Sequence, residues 1–89
     1  MMKGTLSIGK LENQDAFRII FYGTEMPEGM NPGASYVVRG FDELGDFLSA
    51  IGLGWDNQQT IKDELHIVNS TNLLDCSVPD DVLKRFGLL

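Results

Sequence analysis

Cysteine, histidine and basic residues are all scarce in this chain, which has one Cys, one His and seven Lys or Arg among 89 residues. A single cysteine, Cys76, excludes an internal disulfide, and with His66 as the sole imidazole it leaves too few ligands for a structural zinc site. No apolar run approaches the ~18 residues that cross a bilayer. The opening Met1-Met2-Lys3-Gly4-Thr5 lacks the apolar stretch of a signal peptide, so the expected location is cytoplasmic, with no membrane partner. Thirteen acidic residues outweigh the bases for a net charge of −6, which argues against nucleic acid held through its phosphates. The oxygen-ligand spacing of a calcium loop is absent. Gly52-Leu53-Gly54 follows a helical stretch and has no third glycine, so it is not a dinucleotide fingerprint. Neither a metal nor a cofactor is therefore expected.

What is present suits one small α+β domain over residues 1–89. Size scaling from 9.9 kDa gives roughly 5,200 Å² of folded surface against about 14,400 Å² unfolded. Such a core is adequate but not generous, and a homodimer would relieve it. Five Phe, two Tyr and one Trp bury much area for few torsions.

The first half alternates with the period of strands. Three are expected, at about 4–11, 15–22 and 35–40, the first two joined as a hairpin through Glu12-Asn13-Gln14-Asp15. In the second strand Phe17, Ile19 and Phe21 share one face, while Arg18, Ile20 and Tyr22 share the other. The stretch from Gly23 to Gly33 has Gly and Pro content that neither helix nor ladder tolerates, so it reads as a loop bearing Met26 and Met30.

The second half changes period. Phe41, Leu44, Phe47, Leu48 and Ile51 form a stripe for a helix at about 41–51, which Gly52 and Gly54 stop. A second helix is expected at about 56–68, with Asp56 or Asn57 as its cap and Ile61, Leu65 and Val68 facing inward. Residues 65–68 also suit a strand. A polar turn at 69–72 and an extended stretch ending at Pro79 follow, with an edge strand over 72–78 left open, then a short helix at about 79–86 with acids at its start and bases in its last turn. The expected architecture is a three-stranded antiparallel sheet with these helices packed on one face.

Charge follows the same division. Through Phe41 four bases balance four acids; from Asp42 onward three bases face nine acids. Most of these carboxylates are explained by helix starts and solvated faces.

No catalytic constellation emerges. Cys76 and His66 would have to meet by folding, with Asp75 orienting them, and a free Cys among Leu73, Leu74 and Val78 is simplest as a small buried hydrophobe. The reading favours a non-catalytic protein-interaction or regulatory module that binds itself or another protein. Its expected surface is Arg18, Ile20, Tyr22, Val37 and Arg39 on the sheet with Met26 and Met30 on the loop. The alternative is a small enzyme or ligand-binding protein with a site near His66 and Cys76.

Overall fold

The computed structural model describes residues 1–23 and 34–88. Met26 and Met30 lie outside the described residues.

The chain runs β1 (Met2–Lys10), β2 (Ala16–Gly23), β3 (Ser35–Arg39), α1 (Gly40–Ala50), α2 (Trp55–Val68), β4 (Ser70–Val78) and α3 (Asp80–Arg85). The sheet has four strands in the order β3-β2-β1-β4, all antiparallel. The expectation of three strands is thus corrected: residues 70–78 form the fourth, on the outer edge of β1. Its first residues, Ser70-Thr71-Asn72, read as a turn because all three are polar, although only Ser70 and Asn72 face outward, as an edge strand permits, and Thr71 is buried opposite Ile8. A bulge hid the rest of the period. Leu6 pairs with Leu73 and Gly4 with Cys76, so β4 carries one residue more than β1 over this interval, and Asp75 takes a left-handed φ of 53°.

The hairpin forms over the expected link, closed by the Leu11 N–H donating to the Ala16 carbonyl at 2.9 Å, with Asn13 in the left-handed region at φ 59°. Residues 64–68 are helical. The helix α2 starts two residues further back than Asn57, with Gly54 and not Asp56 or Asn57 as its N-cap. Gln58 fixes the α1–α2 corner, donating through Nε2 to the Leu53 carbonyl at 2.8 Å and to Ser49 Oγ at 3.0 Å.

Alternation along the strands sorts side chains into two rows. One row supplies Leu6, Ile8, Phe17, Ile19, Phe21, Val38 and Val78, which join Leu44, Phe47 and Leu48 of α1, Ile61 and Leu65 of α2, and Val82 and Leu83 of α3 in one buried cluster. Helix α1 lies against β2 and β3, and α2 against β4 and α1. The α3 end is held by rings: Phe86 stands 5.0 Å from both Tyr36 and Phe47. Val68, expected to face this core, is exposed, because the chain must turn out through Asn69 at φ 65° to start β4.

Gly4 explains how β1 and β2 fit so closely. A Cβ there would collide with the Tyr22 carbonyl oxygen and stand 2.8 Å from Gly23 Cα and 2.9 Å from the Phe21 ring. Only glycine lets the Phe21 ring lie across β1.

Candidate functional site

The second row of the sheet contains every described residue of the expected surface. On β2 it runs Ala16, Arg18, Ile20, Tyr22, and on β3 Ser35, Val37, Arg39. Register binds these into one patch: Arg18 pairs with Val37, Ile20 with Ser35, and Ala16 with Arg39. Arg18 and Arg39 are thus diagonal neighbours on adjacent strands, within reach of one ligand group for side chains of their length. The row continues into β1 through Gly9, Ser7 and Thr5, partners of Arg18, Ile20 and Tyr22.

Exposure grades across the patch. Ala16 is fully covered and Ile20 half-buried, while Arg18 and Arg39 are exposed; Tyr22 is 46% exposed and Val37 37%. One member went unread in the sequence. Leu74 on β4 is 74% exposed, and alternation from the inward Leu73 turns it toward the same row, beside Thr5. The only sequence signal was the unbroken Leu73-Leu74 pair, whose second member has no place in an inward period of two.

Charge separates the outer row of the sheet from the helices. Lys3, Arg18 and Arg39 are the cations of the outer row, and the nearest acid in sequence on it is Asp75, at the bulge on the opposite edge strand. The helices carry Asp42, Glu43, Asp46, Asp56, Asp63, Glu64, Asp80 and Asp81 against Lys62, Lys84 and Arg85. Among the described residues the one salt bridge joins the Met1 amine to Asp80 at 3.5 Å, so neither guanidinium of the patch is neutralised by a described carboxylate. Glu43 instead accepts the Arg39 backbone N–H, at 3.2 Å.

The residues of the alternative site are placed apart. Cys76 is half-buried opposite Gly4, whereas His66 lines a concavity at the Lys10 end of β1. Six residues of strand separate Gly4 from Lys10, about 20 Å. Partial burial pushes the Cys76 thiol up from its ordinary value, the opposite of what a nucleophile needs. The His66 concavity has a volume of about 250 Å³, with Phe17, Phe41 and Leu65 as its apolar lining and Lys10, Asp15, His66 and Asn69 as its polar one. Its Phe17 and Phe41 rings lie 5.1 Å apart. Among the described residues no three His, Cys, Asp or Glu side chains are placed to hold a metal ion, and no helix is long and apolar enough to cross a membrane.

Comparison with family models, curated proteins and solved structures yields no match to this chain.

Proposed function

We propose that this chain is a protein-interaction module, with its helices packed on one side of the sheet and its docking face on the other. One observation carries the reading. Arg18, Ile20, Tyr22, Val37 and Arg39 share one row in continuous register and keep accessible surface, while the alternating row is sealed into the core. Aromatic and arginine side chains beside aliphatic ones are the composition that protein interfaces favour. The role asks for no catalytic group.

Photocrosslinking in cells tests it. A photoreactive amino acid at Val37 is expected to give discrete adducts, to itself or to another protein, and one at Asp63 on α2 none. Equal labelling from both positions, or none from Val37, overturns the reading.

A second reading rests on the His66 concavity. Its paired rings and mixed-charge rim suit a small ligand that is partly aromatic and carries charge, bound without any part for Cys76. His66→Ala that leaves every ligand-induced thermal shift unchanged counts against it.

A further inference from the structure

We propose that the occupant of the outer sheet row is an acidic segment of another protein, with carboxylates directed at Arg18 and Arg39 and apolar side chains resting on Ile20, Val37 and Tyr22. This rests on the docking-face reading and adds the chemistry of the partner.

Charge is the reason. In a chain of net charge −6, this row carries three described cations, Lys3, Arg18 and Arg39, against one described acid, Asp75, and its two guanidinium groups sit diagonally across neighbouring strands with no described carboxylate in salt-bridge range. Like charges held this close repel, and a fork-shaped donor is satisfied best by a carboxylate that it grips with two N–H groups. The apolar residues lie in the same row, so one segment engages both.

Three other occupants fit less well. A second copy docked face to face would bring together across its two-fold axis four guanidinium groups that no described carboxylate pairs. A second copy's acidic helices would satisfy the charge, but that contact is heterologous and leads to open-ended assembly. Nucleic acid has the charge but lacks its platform, because Tyr22 is the sole aromatic among the described residues of the row, and base stacking on sheets uses two or three.

Titrating ¹⁵N-labelled protein at low salt with a short synthetic peptide that alternates glutamate with leucine and phenylalanine tests the assignment. Shifts are expected at the amides of Arg18, Ile20, Val37 and Arg39 and not on α2. Affinity should fall as salt rises, and roughly tenfold when glutamine replaces glutamate in the peptide or when Arg18→Gln and Arg39→Gln are combined. Circular dichroism of the double variant checks that its fold is kept. No binding, equal binding of the glutamine peptide, or tighter binding of an oligothymidylate to the same row overturns the proposal. So does open-ended self-assembly in sedimentation that the double variant abolishes. If acidic selectivity fails while Val37 still crosslinks and Asp63 does not, the docking face stands and only its partner chemistry falls.

Discussion

Gly45 sits in the middle of α1, where glycine costs about 0.8–1.0 kcal/mol relative to alanine. The structure decides whether Gly45→Ala recovers that energy. A Cβ at this position would stand 3.0 Å from Lys62 Nζ, 3.6 Å from Lys62 Cε and 3.8 Å from Gln58 Oε1 on the facing helix. Only the ammonium is crowded, and it ends a flexible four-carbon stem that no described carboxylate anchors. A move of a few tenths of an ångström relieves it. The expected net gain is about 0.5–1 kcal/mol, a rise in Tm of about 2–8 °C for a chain of this size. Gly4→Ala has the opposite sign, because its Cβ meets backbone atoms and a packed ring that cannot step aside, and costs about 1–3 kcal/mol or more. Urea and thermal unfolding followed by far-ultraviolet circular dichroism measure both; Trp55 is 73% exposed, so its fluorescence is a poor reporter of the core. In a Lys62→Ala background Gly45→Ala should recover the full propensity difference. A loss of stability from Gly45→Ala of more than about 0.5 kcal/mol, whether or not Lys62 is present, would refute the reasoning, since backbone spacing and not a mobile side chain would then limit the site.

The facing of α2 gives a second prediction. Leu65 is fully buried and Leu65→Ala should cost about 2–5 kcal/mol, whereas Val68→Ser, three residues on and 56% exposed, should stay within about 0.5 kcal/mol in the same denaturation assay. A third concerns Cys76. Burial raises its thiol pKa, so at neutral pH the native protein should react with a disulfide reagent more slowly than the unfolded chain. The raised value favours the neutral thiol when folded, so native stability is undiminished below the ordinary 9.0 and falls as pH climbs past it; Cys76→Ser should remove that alkaline decline from urea titrations between neutral and high pH.

The sequence by itself determined the elements whose period is long and uninterrupted. Phe17, Ile19 and Phe21 alternate cleanly and specify β2 with both its faces, and the stripe from Phe41 to Ile51 specifies α1, because burial of one face acts on consecutive residues. The row Arg18, Ile20, Tyr22 was legible for the same reason. Only tertiary structure decided the rest. β4 depends on pairing with β1, whose partners lie 61 to 76 positions away in sequence, and its bulge at Asp75 breaks the period that would have announced it. That pairing turns Leu74 toward the outer row and sets Cys76 at the opposite end of β1 from His66. Sequence distance placed those two residues ten apart; strand register, which no local pattern encodes, separated them.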